Sequence, residues 1–174
     1  MKIPNASSIP STLASTLALL CLLALTLAAP ALAAGSKKAD PVDEAAKAYN
    51  KGVEQLADGN LDRARKSFEK ALDKREDFAE AHNNLGYALR KLGEENWDAA
   101  EEHYNRALEL NPELAQAYHY RGVLHVLRGD EAAAKADHAK LSELKPELAD
   151  QLMEVLATGS EPADGAGVAG EWSP

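Results

Sequence analysis

Cysteine is nearly missing from this chain. The single one, Cys21, sits in an apolar N-terminal stretch. Downstream of that stretch there is none, which excludes a disulfide framework, a thiolate metal site and a thiol nucleophile from the part that can fold. Aromatics are scarce too, at 5%, while hydrophobic residues reach 45%. Alanine and leucine must therefore fill the core, and both are strong helix formers. Positive charge is in deficit: 19 Lys and Arg stand against 28 Asp and Glu, a net charge of −9. A nucleic-acid or anionic-membrane surface needs clustered cations, so both are excluded as partners, whereas a basic protein surface remains compatible. The length of 174 residues suits one ordinary domain.

The first 33 residues have the pattern of an export signal. Lys2 supplies the positive start, Leu13 to Ala29 is a run without charge, and Pro30-Ala31-Leu32-Ala33 gives a small-x-small cleavage pattern. The run falls short of the ~20 residues of a typical membrane-spanning helix. Cleavage after Ala33 is the expectation, with an uncleaved membrane anchor as the alternative. A lipid anchor on Cys21 is not expected, because Leu20 stands where a small residue is wanted. The predicted location is the periplasm or cell envelope. Residues 34–40 read as a polar linker, and Asp40-Pro41 opens the first helix through a capping carboxylate and a proline at the first position.

What fills the middle of the chain is a repeat. The stretch Ala79–Leu114 places Leu85-Gly86, Gly93, Trp97, Ala100, Tyr104, Ala107 and Pro112 at offsets suited to a helical hairpin. Similar offsets recur upstream at Gly52, Gly59, Leu61, Ala64, Phe68 and Ala71, and downstream at Gly122, Gly129, Ala134, His138, Leu141 and Pro146. A period of about 34 residues signals a stacked array. The predicted repeats cover about 45–78, 79–114 and 115–148, within a domain at 41–157. The first pair of helices ends near Ala57 and spans Leu61–Lys74. The second pair spans Ala79–Leu92 and Trp97–Leu110, and the third Ala115–Leu127 and Glu131–Leu144. Gly59 is expected to take positive φ in its turn. Asn60 and Asn96 are expected to cap the second helices, and Glu94-Glu95 to lengthen the middle turn. A last helix, 146–157, carries Leu148, Leu152 and Leu156 on one stripe, as a closing helix should. Residues 158–174 are rich in Gly, Ala, Pro and acid and read as a disordered tail holding Trp172.

These residues resemble the tetratricopeptide repeat, a helix-turn-helix with Trp, Leu-Gly and Tyr, then Ala, Phe, Ala and Pro in register. The middle copy carries the match best. In the first, Lys51 and Glu76 replace the expected leucine and proline; in the third, His125 and His138 stand where aromatics are usual. The resemblance implies an all-α solenoid of three repeats with a C-terminal capping helix, whose first helices line a concave groove. Groove positions would then be Tyr49, Val53 and Leu56; Asn83, Asn84, Tyr87, Arg90 and Lys91; Gln116, His119, Tyr120 and Val123, with Asn50 and Val126 beside them. An apolar lining interleaved with amides suits an extended peptide or a helix of another protein. Tyr49, Tyr87 and Val123 equally suit packing between repeats. Family members that clamp chaperone C-termini use lysine, arginine and asparagine; here the matching positions hold Tyr49, Val53, Asn84, Gln116 and Tyr120. Only Asn84 agrees, so that mode is not expected.

Nothing points to catalysis, a cofactor or a metal. His82, His103, His119, His125 and His138 form no i, i+4 pair and neighbour no nucleophile. His125 and His138 are expected at core positions, facing each other or Tyr118, where protonation near pH 6 would loosen the third repeat. The expected function is a non-catalytic adaptor of the cell envelope. The alternatives are an oligomerisation module stacking through its terminal repeat and an accessory subunit of an envelope enzyme.

Overall fold

The computed structural model describes residues 41–161. The expected leader, the linker with its Asp40 cap, Cys21 and Trp172 lie outside them. Among the described residues seven α-helices follow one another: α1 Pro41–Ala57, α2 Leu61–Lys74, α3 Ala79–Leu92, α4 Trp97–Leu110, α5 Ala115–Leu127, α6 Glu131–Leu144 and α7 Pro146–Thr158. Among the described residues there is no strand, and no helix is long and apolar enough to cross a membrane. The helices pair as antiparallel hairpins α1/α2, α3/α4 and α5/α6. Each hairpin packs on the next, and α7 closes the last against α5 and α6.

Glycine ends the first helix of each hairpin. At Gly59 φ is +72°, and at Gly129 it is +77°. These two turns share one hydrogen-bond pattern: Gly59 N–H donates to Leu56 O and Asn60 N–H to Gln55 O, as Gly129 does to Val126 O and Asp130 to His125 O. Left-handed glycine lets the chain reverse while satisfying the last carbonyls. The middle turn carries the extra residues as a 3-10 turn, Glu94–Asn96, locked by Trp97 Nε1–H donating to Arg90 O at 3.3 Å. Capping differs from expectation. Neither Asn60 nor Asn96 makes a side-chain cap, whereas Asp130 accepts from Ala133 N–H at 3.0 Å. Asn60 and Asp130 have nearly the same backbone angles.

The core is built on glycine facing a bulky side chain. A Cβ on Gly52 would lie 2.5 Å from the Phe68 ring, and one on Gly86 2.8 Å from the Tyr104 ring. Both rings are fully buried, and each contributes roughly 1.5–3 kcal/mol by leaving water. The third hairpin breaks the rule. His138, at the matching position, is only half-buried, and the residue against Gly122 is Leu152 of α7, 2.5 Å from a Cβ placed there. The closing helix thus supplies the bulk that its hairpin lacks. The expected meeting of His125 and His138 does not occur either. His125 Nε2 lies 3.8 Å from Asp137, which is buried and held by Arg121 through two hydrogen bonds of 2.6 and 3.1 Å.

Charged contacts tie the second hairpin to the third, with Arg128 reaching Asp98 at 2.6 Å and Glu101 at 2.7 Å. At the C-terminal end, helix α7 includes Thr158, and Gly159 at φ +68° turns the chain so that Glu161 reaches α3. The first four residues of the expected tail are therefore part of the folded body.

Candidate functional site

The first helices of successive hairpins, α1, α3 and α5, lie side by side. Their helical spacing sets Asn83, Tyr87 and Arg90 on one face of α3, since residues three and four apart are neighbours. That face is buried. Tyr87 and Asn84 are 8% and 7% exposed, Asn83 and Arg90 4%. Two connected groups form on it. In one, Asn84 Nδ2 donates to the Tyr49 hydroxyl at 3.0 Å, and Asn83 Nδ2 donates to Asn84 Oδ1 at 3.1 Å. Asn83 Oδ1 is buried with no hydrogen-bond partner among the described residues. In the other, the Tyr87 and Tyr120 rings lie 5.0 Å apart, His119 packs edge-on to Tyr120, and the Arg90 guanidinium is 5.4 Å from the Tyr87 ring.

The remaining sequence-derived positions divide. Lys91 is exposed, and Val53 and Gln116 are half-buried. Leu56 packs in the cluster of the first two hairpins, and Val123 in that of the third with Leu141 and Leu152. Tyr49 serves both roles, touching Phe68 and Phe78 at ring separations of 5.7 and 4.8 Å while holding Asn84. Burial, and then the charge of Glu80, pushes its hydroxyl up to about 12.

Arg90 carries the strongest electrostatic contact of the face. Its Nη1 and Nη2 donate to the two carboxylate oxygens of Glu161 at 2.9 and 3.1 Å, and Lys91 Nζ donates to the same carboxylate at 3.2 Å. The Arg90 side chain is 1% exposed and that of Glu161 23%. Burial opposes ionisation of Glu161, but the hydrogen bonds and charge of Arg90, then Lys91, outweigh it and hold the carboxyl below its ordinary range. Sequence spacing could not reveal this pair, whose members are 71 residues apart.

A second missed feature is a histidine pair. His82 Nε2 lies 3.0 Å from Glu76 O, which assigns the proton to Nε2 as donor. Its bare Nδ1 then accepts from His103 Nδ1–H at 3.0 Å. Burial, and then the charge of His82, lowers His103 to about 4; burial lowers His82 as well. The pair opens on a cleft of about 600 Å3 shared with Glu69, Asp73 and Glu76. Among the described residues no group of three or more His, Cys, Asp or Glu is placed to hold a metal ion.

A stack of helical hairpins with abutting first helices and a closing helix defines the class: an all-α solenoid. The sequence model of the tetratricopeptide repeat matches residues 79–114, and a second TPR repeat model matches residues 56–93. Solved structures agree. The chain is similar to the first TPR of Spaghetti (RPAP3) bound to the HSP90 peptide SRMEEVD, at 25% identity and a TM-score of 0.61, over 68% of this chain and 96% of that one. It is similar to the Arabidopsis OM64 TPR domain, at 18% identity and a TM-score of 0.63, over 69% and 99%. It is also similar to the TPR2B domain of yeast Sti1 in complex with pHsp70, at 20% identity and a TM-score of 0.57, over 68% and 99%. No curated protein sequence matches the chain. The repeat matches and the shared fold support the tetratricopeptide-repeat family.

Proposed function

We propose that this protein is a non-catalytic adaptor, exported to the cell envelope, that binds a peptide or helical segment of a partner protein on the face formed by α1, α3 and α5. The observation that carries this reading is the amide–aromatic strip running across all three first helices. Asn83 carries a buried acceptor without a hydrogen-bond partner among the described residues, Tyr49 and Asn84 hold the amides in place, and the closely packed Tyr87, His119 and Tyr120 rings, each under a tenth exposed, would need to part for a segment to seat between them. Backbone groups and alternate side chains of an extended segment match such a strip. The RPAP3 domain was solved bound to an HSP90 peptide, which supports interaction as the role. The chaperone-terminus mode is not carried over, because Tyr49, Val53, Gln116 and Tyr120 leave the clamp positions without cations.

Stacking through the third repeat is the weaker reading. Helix α7 already packs on α5 and α6, with Leu152 fully buried against Gly122. A second copy could use that surface only by displacing it. Light scattering separates the readings: a monomer independent of concentration supports the adaptor.

The test of the adaptor is site-specific photo-crosslinking in cells producing the full chain. A crosslinker at Gln116 or Lys91 samples the first-helix face, and one at Lys70 or Lys135 the exposed side of the second helices. Distinct adducts from the first-helix positions, lost on Asn83→Leu with helicity intact, are expected. Identical adducts from both faces would sink the reading.

A further inference from the structure

The Arg90–Glu161 contact is a ligand-like arrangement made by the chain itself. Arg90 is set on the same face as Asn83 and Tyr87, and its guanidinium is almost wholly withdrawn from water. An arginine so placed requires a carboxylate, because a buried charge without a partner is strongly destabilising. The fork geometry is filled by two parallel hydrogen bonds, the arrangement in which arginine discriminates carboxylate from other acceptors. Lys91 adds a second cation to one of the same oxygens.

Glu161 does not arrive by chance of helix packing. It follows a built turn: Gly159 N–H closes on Val155 O at 2.8 Å, and the Thr158 hydroxyl donates to Ser160 O at 2.9 Å. That turn brings Glu161 from the end of α7, past the third hairpin, to the last turn of α3. The Glu161 side chain remains partly exposed where that of Arg90 is not. It can therefore leave without opening the core, but it leaves the Arg90 guanidinium unpaired until another carboxylate takes its place.

We propose that Arg90 and Lys91 form an acid-receiving subsite of the binding face, occupied in cis by Glu161, and that a partner segment engages it by presenting a Glu or Asp that displaces Glu161. The inference builds on the adaptor reading and names both the chemistry of the partner, an acidic peptide, and the means by which the unliganded face is kept closed. A tethered competitor acts at an effective concentration in the millimolar range. Only a segment with additional contacts along the amide–aromatic strip outcompetes it, so the contact sets a threshold for specificity.

The probe is a fluorescein-labelled peptide of sequence GSEPADGAGV, matching residues 159–168, followed by fluorescence anisotropy on the full chain. Glu161→Gln is expected to bind it at least tenfold more tightly than the native chain, and to lose affinity as salt rises. The same peptide with Gln for Glu is expected not to bind. Adding Arg90→Lys to Glu161→Gln keeps the charge, removes the fork, and is expected to reverse the gain, with far-UV circular dichroism confirming that each variant is folded. Equal affinity for native and Glu161→Gln chains, equal affinity for the Glu and Gln peptides, or no binding to any chain overturns the subsite. Crosslinking from Gln116 that persists under any of those results leaves the adaptor standing and removes only the subsite.

Discussion

Replacing Gly86 with alanine tests whether hairpin contact, rather than helix propensity, holds the array together. Within a helix the change should help, by about 1 kcal/mol, because alanine loses less backbone freedom on folding. The surroundings say otherwise. A Cβ at Gly86 falls 2.8 and 2.9 Å from two Tyr104 ring carbons and 3.0 Å from the Ala100 carbonyl oxygen. Tyr104 is fully buried and packs 6.4 Å from the Tyr120 ring, so its ring has no free space to enter. The Ala100 oxygen belongs to the α4 backbone and moves only if α3 and α4 separate. Overpacking of this kind costs about 1–3 kcal/mol, and a contact against main chain belongs at the upper end. After the propensity gain is subtracted, a net loss of about 1–2 kcal/mol is expected. Urea unfolding followed by far-UV circular dichroism measures it. Ala139→Gly, on the exposed side of α6, calibrates the opposite sign and should lose about 1 kcal/mol. A Gly86→Ala chain as stable as the parent, or more so, would falsify the account of how the hairpins touch.

Four further outcomes are expected. His103 is depressed from 6.5 to about 4 in the fold, so the unfolded chain takes up protons first as pH drops below 6.5. Stability then falls through that window and levels off near 4, by at most about 3 kcal/mol once partial exposure of the ring is discounted. Unfolding midpoints in urea across pH 7.5 to 4.5 read this, and His103→Leu should flatten the difference; superimposable pH profiles for the two chains refute it. Leu152→Ala empties the slot against Gly122 and should cost about 3 kcal/mol, with amide exchange in α7 rising before that of α3; uniform loss across all helices would contradict the closing role. Asp137→Ala leaves Arg121 without its buried partner, and a loss of about 3 kcal/mol in thermal unfolding is expected, against little change if the pair is merely superficial. If the export reading holds, N-terminal sequencing of the chain recovered from the cell envelope should begin at Ala34, and recovery with Met1 or Lys2 retained removes the cleavage reading.

The helix boundaries were legible because glycine, proline and bulky residues recur at fixed offsets, and periodicity is what a repeat array writes most clearly into its sequence. All the predicted helices appear, and Gly59 takes the expected positive φ. Two kinds of feature escaped. The first is the exchange of roles in the third hairpin. Offsets point to His138 as the bulky residue, but which side chain meets Gly122 depends on the angle at which α7 returns, and no local pattern encodes that angle. The second is pairing between distant polar groups. Arg90 and Glu161, or His82 and His103, are brought together only by the completed stack. On the face formed by α1, α3 and α5, helical spacing grouped Asn83, Tyr87 and Arg90 as the structure does, yet it could not separate Tyr87, which faces its neighbour across the strip, from Val123, which belongs to the interior.

The borrowed leucine against Gly122 bears on how such a protein can change length. Phe68 and Tyr104 each complete their own hairpin, so a duplicate of the middle unit inserted between Phe78 and Ala79 would arrive self-sufficient. A unit appended after Thr158 would meet a hairpin whose plug is already on loan from α7. Lengthening from the inside is permitted and lengthening from the C-terminus is barred, which makes the last helix a terminator written in one side chain.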